Sequence, residues 1–498
     1  PSAMVLPTLF GENFECLDDY AQPAFFASFL RLLKYGSFYL SIFLPGVFVC
    51  LAVYLPELLP PQLLFKIEAA ERATPFPLFG EMVLVILLLE IIREAGLRMP
   101  QTLGHSVSLV AALIIGDAAI ATGLLSTPVI LIAAVASIAV FVVPSLYEMA
   151  TAFRFLVLLA AGLAGPVGLV CAALVVLLAL AQVSALGVPY CAPVRFPQTA
   201  LSPDGPTAPC PHILFPSGRN GGEPMEQTGS FRAAVPLSVL TAVLGQCITS
   251  GSAMSARLLL LQGFPMALGI GLLSACLMPA EGEEGLRSET GIRPRLLCLL
   301  LSVWFGAELW ETLWQAQQVC REQFSSMAVL GVLPLLLWAG WQLKPDVFSR
   351  SAGVLWWALA LAGLACVGSL HGQLHWENLF PAAELTGNLR FPLYAESIAW
   401  PLLFGKRGCT GRRCFQLPFL TLAGLFGFAL GRELLFGSGR PLPGDELLRT
   451  GTLGRVSRLD AAFLLVWLAA ALFRGCFLVR VLRELLCRPE EQEKGVPE

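Results

Sequence analysis

The chain has 498 residues and a formal net charge of −3, with 56% of residues hydrophobic and only 13% charged. Ordinary globular chains carry about 25% charged residues, so a soluble multidomain protein is excluded, and no basic excess points to nucleic acid. What remains is roughly ten apolar runs, and about 20 apolar residues in a helix cross a bilayer core about 30 Å thick.

Backbone groups in lipid must be paired inside the protein, and unbroken apolar runs lack the alternating pattern of a barrel. The expected fold class is therefore all-α: a polytopic helical transmembrane protein, two helical membrane modules joined by a Pro/Gly-rich linker. The chain opens at Pro1 without a visible signal peptide. Residues 1–30 read as the end of a missing N-terminal soluble region and an approach segment carrying Glu12, Glu15, Asp18 and Asp19.

Arg31 and Lys34 precede a first span over about 37–56, which contains Pro45. Pro60–Pro77 mixes Leu63, Leu64, Phe65 and Ile67 with Lys66, Glu68, Glu71 and Arg72, the composition of a short amphipathic helix lying at the interface. Spans follow at about 78–95, 105–125, 128–147 and 153–186, the last long enough for one tilted helix or for two broken near Gly165-Pro166. From Gly187 to Arg232 nine prolines interleave with Gly and Ser, which is linker chemistry. This divides the chain into a membrane domain at 31–195, a linker at 196–234, a second membrane domain at 235–488 and an acidic tail at 489–498.

The second domain shows spans at about 235–254, 258–278, 296–320, 327–343, 353–370, 415–436 and 459–482. The stretch 391–404 is too short to cross alone and reads as broken or re-entrant. Lys406, Arg407, Arg412 and Arg413 before the 415–436 span, with Arg480, Arg483 and Arg488 at the end of the last, place that loop and the C-terminal end in the cytoplasm by the positive-inside rule, and Arg31 and Lys34 favour a cytoplasmic start. Arg440, Arg449, Arg455 and Arg458 in the loop between weaken that orientation.

Enzymatic motifs are absent, and no catalytic residue, metal or cofactor is expected. The 14 Cys are scattered and only four His occur. Cys409 with Cys414 and Cys191 with Cys210 lack zinc spacing, and His371 with His375 has only Glu377 nearby.

Ionisable residues inside spans are expensive and often functional. Glu81 stands one turn into its span and Asp117 midway through the next. Either both line a cation path, as rings of carboxylates would in an oligomer, or Glu81 lies at the interface and Asp117 caps a break near Gly123. Pro45 and Pro144 are either gating kinks or static bends. Glu90, Arg93 and Glu94 read as a self-paired polar helix end. In the 296–320 span, Glu308, Glu311, Gln315 and Glu322 fall within about 60° at 100° per residue, with Leu309, Trp310, Leu313 and Trp314 on the other side. The stripe faces either a ligand cavity or a partner helix. Arg458 and Asp460 cap the final span.

Several segments of the first half carry a family resemblance. Pro23–Tyr54, Glu90–Pro100 (EIIREAGLRMP), Gly104–Pro128 and the exit GVPYCAP at Gly187–Pro193 resemble, in order, the membrane region of the GerA family of spore germinant-receptor A subunits. In the second half, NLFP at Asn378–Pro381, AESIAWPLLFG at Ala395–Gly405 and RLDAAFLLVW at Arg458–Trp467 are similar to the B subunit of these receptors, a relative of amino-acid permeases. The resemblance implies an A–B fusion in the spore inner membrane, a subunit that senses a small nutrient germinant (an amino acid or sugar) and triggers ion release. It further implies a ring-like self-association of the first half, a lipoprotein C subunit as partner and monovalent cations as the ions moved. Glu81, Asp117, Pro45 and Pro144 are the channel candidates from the span reading above, with Asp117 a departure from the neutral amide common in related A subunits. Glu308, Glu311 and Gln315 are then the ligand-binding candidates, membrane lipids the surroundings. The rival readings are a secondary amino-acid transporter and a non-transporting scaffold.

Overall fold

Pro23 has non-helical geometry as the N-cap, and from Ala24 α1 (Ala24–Val53) runs unbroken through Pro45. The computed structural model describes residues 10–16, 19, 23–98, 118–185, 188–191, 233–250, 256–276, 292–324, 328–370, 373–379, 397–400, 411–437, 444–450 and 459–486. Asp117, most of the 105–125 span, the linker, His371, the Cys210 and Cys409 positions, the acidic tail and all of 391–404 but 397–400 lie outside these residues. The chain divides into two units, Pro1–Pro224 and Met225–Glu498. Among the described residues seven helices are long and apolar enough to cross a membrane, so the protein is an all-α integral membrane protein.

In the first unit α1 is followed by α2 (Pro61–Glu71), α3 (Leu78–Arg98), α4 (Thr127–Val140) and the long segment α5 (Tyr147–Gln182). The approach segment is shorter than expected, because α1 begins at Ala24. Lipid tails are as apolar as Leu, so helices in a bilayer associate through close packing. A Cβ placed on Gly46 would come 2.8 Å from Val157 Cγ1, so the absent side chain lets α1 lie tightly on α5. Ile42, Val49 and Cys50, at helical spacing, are buried on that side. α2 carries its apolar residues differently from an ideal interfacial helix: Ile67 is buried, while Leu63 and Phe65 are exposed.

Pro144 stands at the very start of the apolar stretch Pro144–Gln182. It opens a 3-10 turn, Pro144–Leu146, between α4 and α5, because α4 ends at Val140, seven residues before the expected limit. Pro144, for which a gating kink and a static bend were both open, thus stands at a helix junction.

α5 contains one residue outside helical geometry, Gly165, at φ 60° and ψ −139°. That backbone is accessible to Gly at little cost, and Pro166 then restarts the helix as a first-turn proline. A Cβ on Gly168 would overlap the carbonyl of Ala160. Residues eight apart on a straight helix are separated by about 12 Å, so the chain reverses here. α5 is two antiparallel legs, 147–164 and 166–182, each about 25 Å long at 1.5 Å per residue. Of the two sequence alternatives, the broken one is observed. Its apex is held by Tyr54, whose hydroxyl donates to the Gly162 carbonyl at 2.8 Å.

Beyond α5 the GVPYCAP segment makes a two-residue antiparallel ladder, Ser184↔Pro189 and Ala185↔Val188. Tyr190 then ties back to the chain start: its carbonyl accepts from Phe10 N at 2.9 Å and its hydroxyl from Asn13 Nδ2 at 3.0 Å. Phe10 and Phe14 pack edge-on against Phe38 of α1.

The second unit comprises α6 (Ala234–Ser250), a π turn at Leu259–Gly263 leading into α7 (Phe264–Cys276), α8 (Ile292–Phe324), α9 (Ala328–Gln342) and α10 (Pro345–Leu370). α11 (Gly411–Phe436), α12 (Gly444–Arg449) and α13 (Leu459–Leu486) complete it. α13 is apolar through most of its length, with Arg474 at its middle, and 78% of its most apolar stretch is buried, the mark of a central helix. α6, α8, α9 and α10 pack around it. Phe348, Phe473, Phe477 and Trp400 form an aromatic seam along it. α8 is the opposite case, with only 11% of its most apolar stretch covered.

The hairpin reading makes a topological prediction. Ser145→Cys and Val183→Cys should be modified by an impermeant thiol reagent from one side of the membrane and Leu163→Cys from the other. Labelling of residue 163 from the same side as 145 would mean no reversal at Gly165.

Candidate functional site

Two arginines that sequence reasoning passed over organise the polar chemistry of the spans. Arg154, on the first leg of α5, is 2% exposed. Its Nε donates to the Ser41 carbonyl at 2.8 Å and its Nη2 to the Ala136 carbonyl at 3.2 Å. The Ser41 carbonyl would ordinarily accept from the N–H four residues on, and that residue is Pro45, which has none. Pro45 therefore opens an acceptor inside α1 and Arg154 fills it. A lone Arg in the run FRFLVLLAAGL was the available signal, since an isolated cation in a span needs a named partner.

Arg474, in the middle of α13, is equally buried. Nη2 lies 2.9 Å from Glu308 Oε2, Nη1 2.8 Å from Thr312 Oγ1, and Nε 3.2 Å from Ser238 Oγ. One guanidinium thus joins α13 to α6 and α8, using its rigid fork of donors.

This settles where the acidic stripe points. Glu308 is neutralised by Arg474. Gln315 is buried, with its Oε1 against Gly245 and close to Trp467, and its Nε2 donates to Glu311 Oε1 at 3.1 Å. Glu311 itself is exposed. The stripe does not face one common space: Glu308 and Gln315 turn to partner helices, and Glu311 lies at the edge of that face. Leu309 and Leu313 are half-buried near Gly475 of α13 rather than turned to lipid, because the buried arc of α8 is centred on Thr312 and Ala316. Trp310 and Trp314 face outward as expected, at 69% and 62% exposure.

Glu81 is 1% exposed. Its Oε2 accepts from Ser126 N at 3.2 Å and Ser126 Oγ at 2.6 Å. Ser126 is the N-cap of α4, so the carboxylate sits against a helix N-terminus, where negative charge is favoured. The structure gives Glu81 the role of tying α3 to α4. The Glu90–Arg93 pair (2.8 Å) is extended by Tyr147, whose hydroxyl donates to Glu90 Oε2 at 2.7 Å and whose ring lies 3.5 Å beneath the Arg93 guanidinium. Outside the spans, burial works to raise the Asp19 pKa. The Lys34 ammonium at 2.7 Å and the Cys16 N–H outweigh it and hold the carboxyl below its ordinary value. Among the described residues no group of three or more His, Cys, Asp or Glu could hold a metal ion.

Two double-substitution tests follow. Arg154→Leu leaves the Ser41 carbonyl unpaired in a dry interior and should destabilise the detergent-solubilised protein by about 1–3 kcal/mol. Adding Pro45→Ala restores a backbone donor and should recover part of that loss in thermal melting; strictly additive losses would contradict the shared-carbonyl account. For the second arginine, Arg474→Leu alone strands a buried carboxylate at a cost of about 3–5 kcal/mol, whereas Arg474→Leu with Glu308→Leu should be far milder.

Residues 1–201 match the family model described as Bacillus/Clostridium GerA spore germination protein. The chain is 32% identical over 197 residues to spore germination protein GerLA of Bacillus cereus, covering 39% of this chain and 40% of that protein. It is 33% identical over 196 residues to spore germination protein KA of Bacillus subtilis, covering 39% and 36%, and 33% over 199 residues to its spore germination protein A1, covering 39% and 41%. The chain thus spans about two fifths of the length of the curated relatives it matches. No solved structure matches.

Proposed function

We propose, from a chain whose residues 1–201 carry the GerA-family region, that this protein is a subunit of a spore germinant receptor, sensing a small nutrient and answering with ion release in the spore inner membrane. The family match carries the reading, and the polytopic membrane architecture agrees with it. Copies of the first unit assemble into a ring that passes monovalent cations, and a lipoprotein C subunit joins the complex. Asp117 is the acid assigned to the path, since Glu81 is engaged with Ser126. The second unit is the B-like, permease-related sensor. Within it Glu311 is the stripe member left for the nutrient, because Glu308 is held by Arg474 and Gln315 is packed into the helix interface.

The test is reconstitution of the full chain with its receptor partners in K⁺-loaded liposomes. Germinant should release K⁺ without stoichiometric uptake of the nutrient. Asp117→Asn should reduce the flux about tenfold or more, the loss expected for one pore charge repeated around a ring, while Glu311→Gln should shift the germinant concentration required. Nutrient accumulation without ion release would replace this reading with that of a secondary transporter.

A further inference from the structure

α8, α9 and α13 leave between them an open groove of about 420 Å³, lined by Leu309, Leu337, Trp338, Trp341, Val479 and Leu482, with Leu486 at its edge. Among the described residues no side chain with a charged or hydroxyl group lines it. At one end stands a cation: Arg483, in the last turn of α13, donates to the Trp341 carbonyl and lies 5.2 Å from the centre of the Trp341 ring. That anchorage uses one of five donor hydrogens. Lys344, three residues past Trp341, is exposed. Of the acids near this end, Glu484 is taken by Arg480 at 3.3 Å, and Asp346 heads α10. Among the described residues, Arg483 and Lys344 against Asp346 leave the rim with a net positive charge.

We propose that this groove binds one acyl chain of an anionic phospholipid, whose phosphate is received by Arg483. The volume suits a flexible alkyl chain. A packed helix, about 10–12 Å across with its side chains, would need a far longer trough. Trp338 and Trp341, exposed by 68% and 42%, are the aromatic residues that settle at the headgroup level. The basic rim supplies the charge complementarity that selects an acidic headgroup over a zwitterionic one. The site lies wholly in the second unit and does not depend on the receptor reading.

The delipidated full chain, titrated with phosphatidylglycerol or with phosphatidylcholine of the same acyl composition and read by native mass spectrometry, tests it. One phosphatidylglycerol should be retained about fivefold more tightly than phosphatidylcholine, the discrimination expected of one cation at the membrane surface. Arg483→Gln should erase that preference while weaker retention of both lipids persists. Leu486→Trp, at an exposed position that a misfolding penalty does not threaten, should lower retention of both by filling the groove. Equal retention of the two lipids by the unaltered chain, retention insensitive to both substitutions, or displacement of the lipid by water-soluble glycerol phosphate would overturn the proposal. So would recovery of a bound polypeptide whose release follows Leu486→Trp.

Discussion

A carbonyl without its helical donor and a guanidinium without a carboxylate solve each other's problem in the first unit. Pro45 deprives the Ser41 carbonyl of its partner, and Arg154, 113 residues away in sequence, brings the missing N–H. In water either defect would be repaired by solvent; in a dry helix interface each is costly alone. Because Arg154 also reaches the Ala136 carbonyl, one side chain fixes α1, α4 and α5 in register. Hydrocarbon surroundings give apolar side chains no preference for protein over lipid, so such directional bonds specify which helix faces meet.

The second unit uses the same residue type with a different counterpart. Arg474 meets a carboxylate, Glu308, and two hydroxyls. A paired charge is held only as long as both members remain, and such a pair gives more in geometry than in net stability. It determines how α8, the least covered of the long helices, attaches to the central α13. With Glu308 fixed toward α13, the outward side of α8 shows Trp310 and Trp314, and Glu311 falls at the boundary between protein and surroundings.

The long apolar helices were legible in the sequence because a span must satisfy its own backbone, so its signal is local. The same holds for the Glu90–Arg93 pair and for the Gln315–Glu311 bond, each within one helical turn. The Gly165-Pro166 pair marked the reversal in α5, although composition did not decide between bend and break. What escaped was non-local. Arg154 and Arg474 are single letters in apolar runs, and their partners on α1, α4, α6 and α8 become visible only when helices meet. For Glu81 the sequence left a cation path and an interface position both open, because its hydrogen-bond partner, Ser126, is 45 residues away. The stripe on α8 was placed on the correct helical arc, yet periodicity says nothing about how far around the helix a neighbour reaches, so Leu309 and Leu313 were put on the side away from the stripe. Pro144 was misplaced for a simpler reason: the apolar run continues past the point where α4 stops.

The reversal at Gly165 bears on how the protein enters the membrane. A pair of crossings joined by one residue has no hydrophilic loop to carry through the hydrocarbon layer, so the usual cost of translocating a polar connection is absent. Such a wedge enters as a single step, and the segments on either side of it stay on the face from which they were delivered. The flanking charges that orient other spans have little to decide here; Gly165 has already made the choice.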